Sequence, residues 1–353
     1  MIALVTGATG LVGSYVVQRL AADGWRVRAL VRQPDAARWL TSIGVAELSA
    51  GDVLDAASLA RAARGCGLVV HAAAAVTPRG GWEAFRLPNV DGTANVLAAA
   101  GGAGARLVHV SSVAVYGPDA RYRDGALTDE NTPLAPLPDG AFYARSKRES
   151  EALVMQAHAA GRVWATAVRP TVVYGRGDRQ FVPRLARLYR TGVAPVVGRG
   201  DSALAVVHAA NVAAAIALAA RSDVAGGRAY NVTEDAEPVS VADFARLAGL
   251  GLGRDLRVLH VPPPLATTVL RAAARVAGVV RGPAAGAMAA SSLDFLTRGN
   301  PFCASRARRE LGWRPPVRPS DGVPDAFRSL REGDRAPGGV TVSVELPETP
   351  TDG

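Results

Sequence analysis

Through the first half of the chain, apolar residues arrive in short unbroken runs separated by longer alanine-rich stretches. IALVTG leads into a helical pattern over 14–23, VRALVR into one over 35–43, LVVHAAA into 89–101 and RLVHVSS into 141–160, and the series closes on ATAVRP. A strand with one wet face alternates apolar and polar positions, whereas a strand covered on both faces does not. Unbroken strands joined by helical crossovers make a parallel sheet. The pattern therefore predicts an α/β fold, a doubly wound nucleotide-binding sheet over residues 1–170.

Past Pro170 the rhythm loosens into a Gly/Arg-rich loop at 174–180 and a helix near 181–191. A return to the sheet near Leu204–His208 predicts that about 203–232 completes the first unit. The stretches 171–202 and 233–331, with short helices, the strand LRVLHVP and the closing ELGWRPPVRPSDGV, predict a smaller substrate-binding lobe. Residues 332–353 carry Gly, Pro, Thr and acid without a period and read as a flexible tail.

The two most apolar stretches, Ala203–Ala220 and Leu265–Ala290, are interrupted by His208 and Asn211, and by Arg271, Arg275 and Arg281. Neither suits a transmembrane helix, and no stable membrane insertion is expected. Residues 262–290 predict an Ala/Val-rich lid over a pocket, or else packing within the lobe. An amphipathic surface helix over 264–281 is the other reading, with an apolar face of alanine and valine too modest to anchor alone.

Composition narrows the classes of function. Nearly half of the 353 residues are hydrophobic and 20% are charged, a globular balance. The net charge of +9 comes from scattered arginines without interleaved aromatics, which argues against a nucleic-acid partner. Cys66 and Cys303 lie far apart in no ligand-like cluster, so neither a disulfide framework nor a metal site is expected and a reducing cytoplasm fits. Met1–Thr6 already read as a strand, leaving no room for a secretory leader.

The first strand-to-helix junction reads TGATGLVG. Gly7 allows a tight turn, Gly10 lets a pyrophosphate approach the backbone, and Gly13 lets helix and strand pack closely. Phosphates would then meet the N–H groups of Thr9, Gly10, Leu11 and Val12 at the positive end of the helix dipole. The second strand ends on Val31 and Arg32 where an acidic 2′-hydroxyl selector would stand, and Arg32 can pair with a 2′-phosphate. This favours NADP(H), with NAD(H) left open by the nearby Asp35. Asp52 and Val53 are candidates to flank the adenine, and Ala72, Ala73 and Ala74 are small where the backbone must approach the cofactor.

Tyr143 and Lys147 stand four residues apart in a helical segment, on one face. Lys147 is the only lysine in the chain. A tyrosine serving as general acid near neutral pH needs a cation beside it to lower its pKa, and an ammonium can also hold ribose hydroxyls. Ser112, at the end of the strand RLVHVSS, would hydrogen-bond the reacting oxygen; Ser111 is the neighbouring alternative.

These segments, with GDVLD, HAAA, NVDGTANVL, YARSK, RPTVVYGRGD, VVHAANVA and ELGWRP, resemble the extended short-chain dehydrogenases/reductases over roughly residues 1–330. The HVPPP and FCASRARRELGW segments are most similar to the 3β-hydroxysteroid dehydrogenase and dihydroflavonol reductase branch. The resemblance implies a Rossmann fold, a triad of Ser112, Tyr143 and Lys147, nicotinamide contacts from Pro170 to Val173, and a C-terminal substrate lobe. It makes a homodimer through the helices at 89–100 and 143–157 a prior. The expected function is NAD(P)H-dependent interconversion of a ketone and a secondary alcohol on a largely apolar, steroid-, flavonoid- or polyketide-like molecule. The alternative is a nucleotide-sugar epimerase or 4-ketoreductase with tightly bound NAD(P), for which Arg184, Arg199 and Arg257 are the available diphosphate clamps. Val113 and Ala114 argue against a dehydratase, and the intact triad against a cofactor-sensing regulator.

Overall fold

Seven short strands, most of their residues apolar, line up in parallel in a computed structural model that describes residues 1–76, 80–118, 127–281 and 299–333. They are β1 (Ile2–Thr6), β2 (Arg26–Val31), β3 (Val45–Ala50), β4 (Cys66–His71), β5 (Arg106–Val110), β6 (Ala165–Pro170) and, later in the chain, β10 (Ala229–Val232), in the spatial order β10-β6-β5-β4-β1-β2-β3. Strands β6 and β10 are buried at every residue, as a sheet covered on both faces requires.

One face is covered by α1 (Leu11–Ala22) and α7 (Ala209–Arg221), which pack on each other. Alanines at 209, 213–215, 217 and 219–220 in α7 let them approach closely, and Trp313 seals the same core. The other face carries α2 (Ala56–Ala63), α4 (Gly92–Gly102) and α5 (Phe142–Ala159) around Leu59, Val96 and Val154. The stretch read as a helix at 35–43 is a 3-10 helix, Asp35–Ile43, ended by Gly44 in the left-handed region.

The strand order reverses between β1 and β4, so the carboxyl ends of these strands flank the crevice where doubly wound sheets bind ligands. The expected return near Leu204–His208 takes a different form. Val206–His208 (β9) pairs with β7 (Val172–Tyr174) in a separate two-stranded sheet, and β10 is the strand that rejoins the main one. Thr171, whose N–H reaches the Val232 carbonyl, and Val172, whose N–H reaches that of Ala205, mark where the chain steps off the main sheet.

Beyond the sheet, α6 (Phe181–Leu188), β8 (Val193–Val197), α8 (Val241–Leu252), β11 (Arg257–Val261) and α11 (Pro319–Glu332) surround a second core. Phe244 is its hub, with ring centroids 5.7 Å from Tyr174 and 6.1 Å from Phe327. Helix α9 (Pro263–Arg281) follows β11, and α10 (Ser305–Leu311) leads into Trp313. The second part of the expected lid, 282–290, and the tail from residue 334 lie outside the described residues.

Candidate active site

At the first crossover β1 ends on Thr6, and Gly7 turns with φ +70°, a conformation that disfavours any side chain. A Cβ on Gly7 would lie 2.5 Å from the Ala73 nitrogen, and one on Gly13 would lie 2.1 Å from the Gly7 carbonyl oxygen. The glycines thus let the turn sit directly on the Ala72–Ala73 backbone and let α1 start close behind it. Ala72 donates its N–H to the Thr6 carbonyl at 3.2 Å. Gly10 caps α1 without a side chain, so no side chain answers the first N–H groups of the helix, and Thr9 and Gly10 are exposed. Such a cradle, hemmed in by backbone yet open at the helix N-terminus, fits a dinucleotide pyrophosphate.

Toward the outer strands, Gly51 donates its N–H to the Val31 carbonyl, which brings Asp52 beside the end of β2. Asp52 accepts the Leu54 N–H at 2.9 Å, and the Val53 carbonyl accepts from Asn95 at 3.0 Å. Arg32 is exposed, and among the described residues nothing is paired with it. Asp35 is held by Arg38 at 2.8 Å on the adjacent 3-10 helix.

At the end of β5, Ser112 caps a 3-10 turn, Val113–Tyr116, its Oγ accepting the Ala114 N–H at 3.2 Å. The same hydroxyl shares a hydrogen bond with the Tyr143 phenol, from the first turn of α5. The neighbouring Ser111 Oγ is buried with no hydrogen-bond partner among the described residues. One turn along α5, Lys147 is only 3% exposed and donates Nζ to the Val110 carbonyl at 2.7 Å. Burial lowers its pKa from 10.5 to about 8, with the Glu151 carboxylate opposing the shift.

Sequence reasoning expected Lys147 to lower the pKa of Tyr143. In this structure the phenol lies above its usual value, because burial outweighs the hydrogen bond from Ser112, and Lys147 is not among the groups acting on it. The ammonium is turned to the Val110 carbonyl instead.

The wall behind Lys147 is uncharged. His71 sits between Thr6, 2.7 Å from Nδ1, and Thr93, 3.0 Å from Nε2. Thr93 already donates to the Asn89 carbonyl at 2.6 Å, so it accepts from His71, which is the neutral Nε2–H tautomer. Burial first and Lys147 second hold His71 down to about 3 and push His109 well below the usual range. The nearest carboxylate, Glu151, is locked to Arg169 at 2.9–3.1 Å, and Arg169 also donates to Tyr116 at 2.8 Å.

Asn89 was missed as a site residue. It is 2% exposed and sits in a π-helical turn, Leu87–Asp91, wedged into the run that becomes α4. Its amide accepts the Ala75 N–H at 2.7 Å and donates to the Ala75 carbonyl and to Ser146 Oγ, both at 2.9 Å. Ser146 in turn donates to the Tyr143 carbonyl at 2.9 Å. Asn89 thereby joins the loop after β4 to the helix that carries Tyr143. The available signal was Pro88, which cannot donate an N–H inside a helix and so favours a widened turn there.

Pro170 closes β6, and Val173, half-buried, pairs with Val207 beyond it. Thr171 Oγ1, between them, is buried with no hydrogen-bond partner among the described residues. The three arginines considered as diphosphate clamps are all exposed. Arg257 pairs with Val193 at one end of the β8–β11 ribbon, and Arg199 follows its other end, so these two do not converge.

A model of the NAD dependent epimerase/dehydratase family matches residues 3–233. The chain is 33% identical over 325 residues, 92% of its own length and 95% of the relative's, to the 4-hydroxy-2-methyl-3-oxo-4-farnesyl-3,4-dihydroquinoline-1-oxide ketoreductase of Stigmatella aurantiaca. It is 29% identical to the ceramide reductase of Caulobacter vibrioides, across 92% of this chain and 89% of that one. Among solved structures, gox2253 superposes with a TM-score of 0.74 at 29% identity, covering 95% of this chain and 99% of that one. The chain belongs to the NAD dependent epimerase/dehydratase family, and so to the extended short-chain dehydrogenases/reductases that its motifs resemble.

Proposed function

We propose that this protein is an NADP(H)-linked ketoreductase acting on a largely apolar small molecule. The observation that carries the reading is the meeting of Ser112, Tyr143 and Lys147 at the carboxyl edge of the sheet, on the same edge as the glycine turn. Gly7, Thr9, Gly10, Leu11, Val12 and Gly13 hold the pyrophosphate in this reading. Arg32 takes the 2′-phosphate, Asp52 and Val53 flank the adenine, Ala72–Ala74 line the middle, and Pro170 and Val173 back the nicotinamide. When bound, that nicotinamide supplies or accepts the hydride.

The protein's own part is proton handling and orientation. Ser112 donates to the substrate oxygen and fixes it beside the phenol. Tyr143, kept protonated by its raised pKa, gives its proton to that oxygen as the carbonyl is reduced. In this reading Lys147 holds the ribose hydroxyls, and a turn of its ammonium from the Val110 carbonyl toward Tyr143 would let it stabilise the phenolate left behind.

The apolar substrate class is supported by the relatives' names, which specify a farnesyl-bearing dihydroquinoline oxide and a ceramide. The absence of an arginine pair at the ribbon speaks for a ketoreductase over a nucleotide-sugar epimerase. We assign the Rossmann unit to 1–170 and about 203–232, and the substrate lobe to 171–202 and 233–331. A homodimer through α4 and α5 suits the apolar hollow lined by Leu97, Gly101, Leu153 and Val163. Two free cysteines suit the cytoplasm.

Fluorescence titration with NADPH and NADH tests the cofactor assignment. Wild type is expected to bind NADPH at least about tenfold more tightly, and Arg32→Ala to lose that preference, since a charge-assisted pair contributes about 1.5–3 kcal/mol. Tighter NADH binding by wild type would overturn the role of Arg32.

A further inference from the structure

Helix α9 turns its apolar side outward. Leu265, Val269, Val276, Val279 and Val280, with Ala272 and Ala273, fall within about 120° of its circumference at about 100° per residue. A helix that packs on a core hides such an arc. Here Leu265 is 57% exposed, Val269 58%, Val276 61%, Val279 87% and Val280 73%, while Ala266, outside the arc, is buried. The helix rests on the molecule along one edge and presents Leu and Val to solvent.

The surroundings of the arc are basic. Arg275, about 40° beyond the arc's edge, and Arg271, about 40° further round, are both exposed on the flank away from Ala266, and no Asp or Glu occurs from Leu256 to Arg281. Polar groups that would resist an apolar setting are already satisfied within the helix: Thr267 donates to the Pro263 carbonyl at 2.6 Å and Thr268 to the Pro264 carbonyl at 2.8 Å. Pro263 and Pro264 also remove two of the N–H groups that a helix start leaves unpaired.

We propose that α9 docks this protein on an anionic lipid surface. The helix lies in the plane of the interface, the arc from Leu265 to Val280 entering the acyl boundary and Arg271 and Arg275 meeting headgroup phosphates. Charge decides the occupant. A second copy of α9 would bring the same arginines with no acidic residue to answer them, whereas an anionic bilayer supplies the missing charge. The docking is peripheral, since no helix among the described residues is long and apolar enough to cross a membrane. The inference does not rest on the reaction assigned to the crevice.

The test is co-sedimentation of the full chain with vesicles of phosphatidylcholine alone or with about 30% phosphatidylglycerol. Wild type is expected to follow the anionic vesicles and to be released as salt rises from about 0.05 to about 0.5 M. Arg271→Ser/Arg275→Ser should weaken binding about thirtyfold, at about 1 kcal/mol per arginine near the surface. Val276→Asp/Val280→Asp should abolish binding while NADPH affinity and sedimentation mass stay unchanged. Failure of wild type to bind either vesicle, or binding that survives the aspartate pair, would overturn the proposal. So would a change of oligomeric mass in that variant, because a second copy would then be what covers the arc.

Discussion

Lys147 carries its charge in a place that resists it. The ordinary lysine pKa of 10.5 falls to about 8 in the fold. Below about pH 8 both folded and unfolded chains hold the proton, and the folded state bears the whole desolvation penalty, about 3 kcal/mol. Between about 8 and 10.5 the unfolded chain binds the proton more tightly, so this group makes stability rise with pH. Lys147→Met, compared with wild type by urea denaturation without cofactor, is therefore expected to be about 2–3 kcal/mol more stable at pH 7, with most of that gap gone near pH 10. A gap that ignores pH would mean that the charge is not what costs. The lysine was legible because no other exists in the chain, and Tyr143 because of its spacing from it. Asn89 was not, because its importance comes from a π turn that moves it under the loop after β4, and no periodicity reports such a turn.

The first crossover depends on two hydrogen atoms standing where methyl groups cannot. Gly13→Ala puts a Cβ 2.1 Å from the Gly7 carbonyl oxygen, so α1 must move away from the turn. Cofactor affinity should fall by at least about tenfold and Tm by several degrees, given about 1–3 kcal/mol for overpacking; calorimetry with and without NADPH reads both. Arg169 of β6 and Glu151 of α5 form a buried pair, 9% and 8% exposed at their side chains. Glu151→Leu leaves the guanidinium buried without its carboxylate, at an expected cost of about 3–5 kcal/mol in urea denaturation. Five strands of the main sheet, β1, β2, β4, β5 and β6, were readable because burial on both faces leaves a largely apolar run, whereas β3 (VAELSA) and the four-residue β10 (AYNV) carry no such run. The step to β7 and β9 was not readable, since three-residue strands look the same whether they extend one sheet or start another.

Over the whole molecule, the sheet and the smaller core are held together by polar ties that no run of residues announces. Arg176 reaches Asp325 at 2.7 Å and Glu332 at 3.1 Å, joining the loop after β7 to α11. Tyr15 in α1 accepts the Arg176 N–H at 3.1 Å and packs edge-on against His208, whose ring also meets Tyr174. The partners of Arg176 are about 150 residues away, which is why sequence alone predicted a second lobe but not what fastens it.

The central claim is that Ser112, Tyr143 and Lys147 serve reduction of a ketone by an exchangeable nicotinamide cofactor. It is tested most directly by incubating the protein with NADPH deuterated at nicotinamide C4 and an apolar cyclic ketone, then locating the deuterium by mass spectrometry. The account predicts one deuterium on the carbinol carbon per NADPH oxidised. In Tyr143→Phe, turnover should fall about 10²–10⁴-fold with NADPH affinity kept. A cofactor that stays bound and unconsumed while a nucleotide sugar is epimerised, or a Tyr143→Phe protein that reduces ketones at the wild-type rate, would contradict it.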